Sequence, residues 1–199
     1  AFLADGYEVV AVTPPDEHVP RLRELGCEWR AVQIDSKGSS PAADAMLLLR
    51  MVALLREIRP AAFVAFTIKP NIYGVLAASL LGVPTFPNVT GLGTVFITQN
   101  WVTRVAHRLY RMAFSGATRV FFENPEDCAL FENLGLAPRD RTTALPGAGV
   151  DLAYFAPRNR PPRAGDETVF LLIARLLWDK GVGEYVEAAR ALKAQYPSA

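Results

Sequence analysis

Short apolar runs alternate with longer amphipathic segments along residues 8–145 of this chain, and turn residues separate them. The run AAFVAF at 61–66 is continuously apolar, which is typical of a strand buried on both faces of a parallel sheet. The strands are predicted at 8–13, 27–34, 61–66, 84–89, 119–122 and 143–145, and the helices at 16–25, 42–59, 71–81, 101–113 and 125–133. This spacing favours right-handed crossovers and predicts an α/β fold with a doubly wound parallel sheet.

The composition changes at Pro157, where a stretch rich in proline and charge has little to bury. We interpret 157–166 as a linker between a first domain at 1–156 and the start of a second domain at 167–199. The second domain would open with a buried strand at 169–174 and a helix at 180–196, which is too little for a core. The chain also begins in what reads as a helix end stopped by Gly6, with no strand before it. We therefore expect it to be truncated at both ends and inactive on its own.

Charge and composition narrow the classes of function. The formal net charge is +1, so no basic field favours nucleic acid as a partner. Cys27 and Cys128 lie far apart without metal-ligand spacing, which indicates reduced thiols in a cytosolic compartment. The only histidines, His18 and His107, leave little scope for a histidine-based metal site. No apolar run is long enough to cross a bilayer, and we do not expect the first residues to be a signal peptide, since they read as a helix end.

The strongest candidate site follows the predicted strand at 169–174. Arg175 leaves the end of that strand, and Lys180 stands at the start of the next predicted helix, beside Gly181. Two cations at a helix amino-terminus suit a diphosphate, because the arginine fork can grip it and the helix dipole favours negative charge. The other interpretation is a solvated Arg–Lys pair in a surface loop.

A second candidate follows the strand at 61–66, where Pro70 presets the first turn of the next helix. Lys69 lies just ahead of this turn and is placed for an anion, or it is a solvated lysine at the helix end. Asn71 either binds substrate or caps the helix. A further asparagine, Asn124, is predicted to be the N-cap of the helix at 125–133.

Glycine-containing turns follow two other strands. Thr90, Gly91 and Gly93 lie in the run TGLG at 90–93, and Gly149 lies near the end of the first domain. Glycines there either let a substrate approach the backbone or serve the turn alone. The run does not match a complete dinucleotide-binding fingerprint.

The helix at 101–113 carries three arginines on one face: Arg104, Arg108 and Arg111. Trp101 lies near them and His107 is adjacent. This pattern suits an anionic membrane surface or a lipid phosphate, although a solvated helix face gives the same pattern.

Taken together and in order, several motifs resemble the family 4 glycosyltransferases, and in particular bacterial enzymes that extend an undecaprenyl-diphosphate-linked sugar. The matching runs are GYEV at 6–9, TIKPNIYG at 67–74, TGLG at 90–93, GVDLAYFAP at 149–157 and ARLLWDKGV at 174–182. The last of these, which holds Arg175 and Lys180, is the most specific.

The resemblance implies a GT-B fold, in which two Rossmann-like domains face each other across a cleft. The first domain would take the lipid-linked saccharide acceptor and the second the UDP-sugar donor, with retention of configuration and with neither metal nor cofactor. Arg175 and Lys180 would hold the donor diphosphate and stabilise the charge that grows on the leaving UDP. Gly91 and Gly93 would lie near the reacting sugar. Such an enzyme would work at the inner face of the cytoplasmic membrane in cell-surface polysaccharide or glycan synthesis.

The chain departs from the family at two positions. Relatives often have a histidine where this chain has Ile68, and some have a glutamate where it has Thr90. Neither His18 nor His107 falls at a strand end that would replace them, so no general base is assigned. Two other functions share the architecture: a UDP-sugar 2-epimerase, which relies on titratable groups in the cleft, and a non-catalytic binding module.

Overall fold

The computed structural model describes residues 2–35, 40–92, 101–147, 149–157 and 169–196. The chain forms two compact units, Ala1–Gly149 and Val150–Ala199. The interpreted linker at 157–166 lies almost entirely outside the described residues, so the domain boundaries remain a prediction.

The first unit alternates strands and helices, as the sequence predicts. Its strands are β1 Val10–Thr13, β2 Glu28–Ala31, β3 Phe63–Phe66, β4 Thr85–Val89, β5 Val120–Phe122 and β6 Thr142–Ala144. Its helices are α1 Val19–Glu24, α2 Pro41–Ile58, α3 Val75–Leu80, α4 Trp101–Ser115 and α5 Pro125–Asn133, with a π-helical turn at Pro70–Gly74 and a 3-10 turn at Arg139–Arg141. Within the described residues every strand pair is parallel: β1 pairs with β2, and the second sheet has the order β3-β4-β5-β6. The α/β class is confirmed.

Strand register brings the carboxyl ends of the second sheet to one edge. Phe66, the last residue of β3, stands opposite Asn88 in β4, and Phe122, the last residue of β5, stands opposite Ala144. Since parallel strands all point the same way, the loops that follow them share this edge. The segments after β3 and β4, which hold most of the predicted acceptor-side residues, are therefore neighbours.

The prediction that the 61–66 strand is buried on both faces is wrong. Phe63 and Ala65 are buried, whereas Val64 is 43% exposed and Phe66 is 52% exposed. Successive strand residues point to opposite faces. Among the described residues, only the face carrying Phe63 and Ala65 is covered, and it packs with α2 residues Leu47, Met51 and Leu55 in the core.

An aromatic cluster fills the core beneath α4 and α5. Phe131 lies at its centre, with its ring centroid 5.1 Å from Tyr110, 5.1 Å from Phe122 and 6.0 Å from Phe114. All four side chains are at most 1% exposed. Edge-to-face rings add to the hydrophobic gain of burial, so this cluster is a major source of stability.

The start of α5 confirms one prediction, because the Asn124 Oδ1 accepts the Asp127 N–H at 2.7 Å and so caps the helix.

Close packing makes Gly74 necessary at the end of the π-helical turn. A methyl group there would meet the buried Phe63 ring at 2.6 Å from Cζ. Helix propensity alone favours alanine over glycine, so a gain in stability would be the default. We instead expect Gly74→Ala to lower the free energy of unfolding by about 1–3 kcal/mol, because the overpacking outweighs the propensity.

Chemical denaturation measures this change, and Gly116→Ala is the matched control. A methyl group at Gly116 would meet Ser79 Oγ at 3.6 Å, which is an ordinary contact. We expect the control to stay near the wild-type value. Equal shifts in the two variants would contradict the role of the Phe63 contact.

The second unit contains a 3-10 turn at Trp178–Lys180 and the helix α6, Val182–Gln195. The helix predicted at 180–196 is confirmed. The strand predicted at 169–174 is wrong, because those residues are described without regular secondary structure. Ile173, for example, is 87% exposed. The apolar run has the composition of a buried strand, but among the described residues no neighbouring strand pairs with it.

Candidate functional site

The loop that follows β3 begins with a strained residue. Thr67 has φ 65°, in the left-handed region that β-branched residues rarely adopt, at a cost of about 1–2 kcal/mol. Its carbonyl oxygen accepts the backbone N–H of Asn71 at 3.0 Å and so holds the start of the π-helical turn. Strained residues and π-helical turns cluster at functional sites. Sequence reasoning missed Thr67, since glycine or asparagine would be expected in this conformation.

Lys69 forms a charge-compensated cluster with two residues that the sequence analysis did not single out. Its Nζ lies 2.7 Å from Asp44 Oδ1, and the Tyr73 hydroxyl donates to Asp44 Oδ2 at 2.9 Å. The Lys69 and Asp44 side chains are only 15% and 17% exposed. Asp44 lies in the first turn of α2, where the helix dipole favours a carboxylate. The anion beside Lys69 in the structure is therefore this carboxylate.

Tyr73 keeps its proton in this cluster. Burial raises the pKa of the Tyr73 phenol, and the hydrogen bond and negative charge of Asp44 raise it further. The phenol is therefore a permanent donor to Asp44 at physiological pH. The spacing of Lys69 and Tyr73, four residues apart, was the available sequence signal for a shared face.

Asn71 is not a helix cap, because its side chain is buried and makes a tertiary contact. It is 1% exposed, and its Nδ2 donates to the Asn88 backbone oxygen at 2.8 Å. The bond joins the π-helical turn to the end of β4. The Oδ1 atoms of Asn71 and Asn88 are both buried, and neither has a hydrogen-bond partner among the described residues. Leaving a buried acceptor unpaired costs about 1–3 kcal/mol, so the two atoms mark a place that suits a hydrogen-bond donor.

Two of the predicted glycine positions, Gly91 and Gly149, have a positive φ, which favours glycine. Thr90 is exposed directly after β4, and Gly91 has φ 149°. Gly149 has φ 78° at the end of the first unit. Gly93 lies outside the described residues.

The three arginines of α4 do not form one free face. The guanidinium of Arg111 donates to the carbonyl oxygens of Leu134 at 3.0 Å and Gly135 at 2.9 Å, at the carboxyl end of α5. Arg111 is therefore engaged in capping that helix. Arg104 and Arg108 are exposed on the surface of α4.

Large apolar side chains share this exposed surface. Trp101 is 63% exposed, Val105 45% and Met112 61%. We define the α4 face as these three residues together with Arg104 and Arg108. None of the described helices combines the length and the apolar character needed to cross a bilayer. His107 lies beside this face, half-buried, and burial together with the Arg111 charge lowers the pKa of its imidazole.

In the second unit, Arg175 and Lys180 lie at the approach to α6, as the sequence predicts. Lys180 ends the 3-10 turn, and its Nζ lies 3.9 Å from Asp179 Oδ2 with the side chain 45% exposed. Gly181 follows in the left-handed conformation and precedes the first residue of α6. Arg175 is exposed, and its carbonyl oxygen accepts the Leu177 N–H at 2.7 Å. Both cations are thus accessible to an anion; their role stays a prediction.

Both cysteines are free thiols, as expected. Cys128 is buried, and burial raises the pKa of its thiol, so the group is an inert part of the core. In the described part of the chain, no three His, Cys, Asp or Glu side chains are grouped to hold a metal ion.

Sequence comparison places these features among known proteins. Residues 1–148 match the family model of the glycosyl transferase 4-like domain. A curated relative from Campylobacter jejuni, N,N'-diacetylbacillosaminyl-diphospho-undecaprenol alpha-1,3-N-acetylgalactosaminyltransferase, is 28% identical over 201 residues. The alignment covers 94% of this chain and 53% of the relative. The chain thus spans about half the length of the curated relative that it matches.

Two solved structures resemble the chain. The crystal structure of Anabaena HepE in complex with UDP matches with a TM-score of 0.50 and 12% identity, over 75% of this chain and 46% of HepE. MurG of Acinetobacter baumannii matches with a TM-score of 0.49 and 16% identity, over 77% of this chain and 40% of MurG. The likeness to HepE supports the Rossmann-like fold of the GT-B class. With the family model matching 1–148, the chain belongs to the glycosyl transferase 4-like family.

Proposed function

We propose that the chain is the acceptor-side domain, with the start of the donor-side domain, of a retaining glycosyltransferase that moves a hexose or hexosamine from a UDP-sugar to an undecaprenyl-diphosphate-linked saccharide. The alignment with the Campylobacter jejuni transferase over 94% of the chain carries this proposal. That relative's name specifies a diphospho-undecaprenol acceptor and transfer of N-acetylgalactosamine. The product would enter cell-surface polysaccharide or glycan synthesis.

Arg175 and Lys180 would bind the donor diphosphate. Both are exposed cations at the approach to α6. Negative charge builds up on the leaving UDP as the bond between the anomeric carbon of the sugar and the diphosphate oxygen breaks, and fixed cations stabilise that charge without a metal ion. The reaction would therefore need neither a metal nor a cofactor, with the UDP-sugar as its donor substrate.

The carboxyl edge of the second sheet would bind the acceptor. Lys69 and Asn71 follow β3 there, and Thr90, Gly91 and Gly93 follow β4. In open parallel sheets, ligands bind outside the carboxyl ends of the strands, which supports this placement. Gly149, which has a positive φ, would let the backbone pass close to the substrate.

Transfer by the full-length protein tests this function. The protein would be incubated with a panel of UDP-hexoses and UDP-N-acetylhexosamines and with polyprenyl-diphosphate-linked saccharides. We expect one donor to be transferred, with the donor's anomeric configuration retained in the product by NMR and with activity kept in EDTA. Inversion would contradict the retaining assignment, and loss of activity in EDTA would contradict the metal-free one.

The α4 face would hold the enzyme at the inner surface of the cytoplasmic membrane, as a peripheral protein. Its exposed Trp101, Val105 and Met112 can enter the interface, while Arg104 and Arg108 meet anionic headgroups. A lipid-linked acceptor requires such an approach, because its reacting sugar stays near the bilayer. Arg111 is not part of this contact, since it caps α5.

Removing both arginines of the α4 face should weaken membrane binding. Each is worth about 1 kcal/mol near an anionic surface, so we expect Arg104→Ala/Arg108→Ala to reduce the affinity for phosphatidylglycerol-containing vesicles about 30-fold. Vesicle co-sedimentation of the full-length protein measures this. The control pair Arg21→Ala/Arg119→Ala removes the same charge from exposed positions elsewhere on the first unit. An equal loss in the control pair would contradict a specific α4 contact.

A further inference from the structure

The charge around Lys69 limits what its cluster can bind. The Asp44 carboxylate lies 2.7 Å from the Lys69 ammonium, and both side chains are largely covered. The pair carries no net charge, so its attraction for a second anion is that of a dipole. A diphosphate that reached Lys69 would also meet the Asp44 carboxylate, whose like charge repels it, or would have to break a partly buried ion pair.

The cluster still offers both donors and acceptors. The Lys69 ammonium has three N–H donors, of which Asp44 takes one. The Asp44 carboxylate accepts from Lys69 and Tyr73 and has further lone pairs. Tyr73 fixes one carboxylate oxygen and so holds the group in place. A neighbouring donor and acceptor of this kind complement a sugar hydroxyl, which both donates and accepts.

We infer that the edge formed by Asp44, Lys69 and Tyr73 binds the hydroxyl or acetamido groups of the acceptor saccharide and does not bind its diphosphate. This inference rests on the proposed function, because it assigns the part of the acceptor that this edge recognises. Asp44 is the residue that distinguishes the two ligands: it is a partner for a sugar and a repulsive neighbour for a phosphate.

The two alternatives predict opposite changes in the acceptor KM for Asp44→Asn in the full-length protein, so steady-state kinetics distinguish them. If the edge binds sugar, loss of the charged acceptor and of the Lys69 pair raises the acceptor KM about tenfold or more, with a smaller change in kcat. If the edge binds diphosphate, the same variant frees the Lys69 charge and lowers the acceptor KM. Lys69→Met should raise KM in parallel with Asp44→Asn. Glu57→Gln, on the exposed surface of α2, is the matched control and should leave KM unchanged.

Tyr73→Phe tests the orienting hydrogen bond with the ring retained. We expect the acceptor KM to rise about threefold to tenfold, which is the loss of one hydrogen bond, while kcat stays near wild type. An unchanged KM in both Tyr73→Phe and Asp44→Asn would overturn the inference. Thermal unfolding of each variant identifies any that fail to fold.

A binding measurement that needs no turnover tests this inference separately from the proposed function. Saturation-transfer NMR on the full-length protein would use a free oligosaccharide containing N-acetylhexosamine, and inorganic pyrophosphate as the competing probe. We expect the oligosaccharide to bind the wild-type protein and to bind Asp44→Asn much more weakly. We expect pyrophosphate not to displace it. Binding that persists in that variant, no saccharide binding, or pyrophosphate binding that tightens in it would overturn the inference, whether or not transfer is observed.

Discussion

Under the proposed function, replacing Arg175 or Lys180 with methionine should lower kcat of the full-length protein about 100- to 1000-fold, the range seen when one transition-state donor is removed. Both side chains are exposed at the approach to α6, where a diphosphate can reach them. Because the charge on the leaving group is greatest in the transition state, we expect kcat to fall far more than the acceptor KM rises.

Steady-state sugar transfer measures this effect, and Lys193→Met is the matched control. Lys193 lies in the last turn of α6, so its replacement removes the same charge from the same helix at the other end. We expect the control to keep wild-type kcat. A kcat within about threefold of wild type in both Arg175→Met and Lys180→Met would contradict their role at the diphosphate.

The largest loss of stability is expected from Phe131→Ala. Phe131 has no exposed surface and contacts the rings of Tyr110, Phe114 and Phe122. Removing it deletes buried area and leaves a cavity between three large side chains. We expect the free energy of unfolding to fall by about 3–5 kcal/mol, a large part of the stability of a domain this size.

Denaturant titration followed by circular dichroism measures that loss. Leu130→Ala in the neighbouring position of α5 is the control, since Leu130 is 36% exposed. We expect the control to lose less than about 1.5 kcal/mol, because part of its surface is already in water. Similar losses in the two variants would contradict the central place of Phe131 in the core.

The order of elements in the first unit could be predicted because its signals are local. Apolar runs, helix-ending glycines and the Asn124 cap all act within a few residues of the structure that they specify. The backbone bonds Gly6 N–H to Leu3 and Tyr7 N–H to Phe2 confirm that Gly6 ends a helical turn.

The residues of the candidate site were harder to predict, because their partners are distant in sequence. Asp44 meets Lys69 across 25 positions, and Arg111 reaches Gly135 across 24. No local sequence pattern indicates contacts between residues so far apart in the chain. They change the chemistry, since Lys69 gains a compensating charge and Arg111 becomes a helix cap.

The strand predicted at 169–174 shows a second limit of prediction from the sequence. Its apolar composition fits a buried strand, but a strand forms only with a neighbour to share its hydrogen bonds. In the described second unit the run stays exposed. The apolar composition therefore indicates that the segment is suited to a buried strand, whereas formation of the strand depends on a neighbouring strand to pair with.

The most direct test of the proposed glycosyltransferase is the dependence of UDP release on the acceptor. The full-length protein would be given a UDP-sugar with and without a polyprenyl-diphosphate-linked saccharide, and UDP and sugar products would be quantified by chromatography. We expect UDP to appear in step with the lengthened lipid-linked saccharide and only when the acceptor is present. A 2-epimer formed without acceptor, or UDP-sugar bound and returned unchanged in both reactions, would contradict the transferase and favour an epimerase or a binding module.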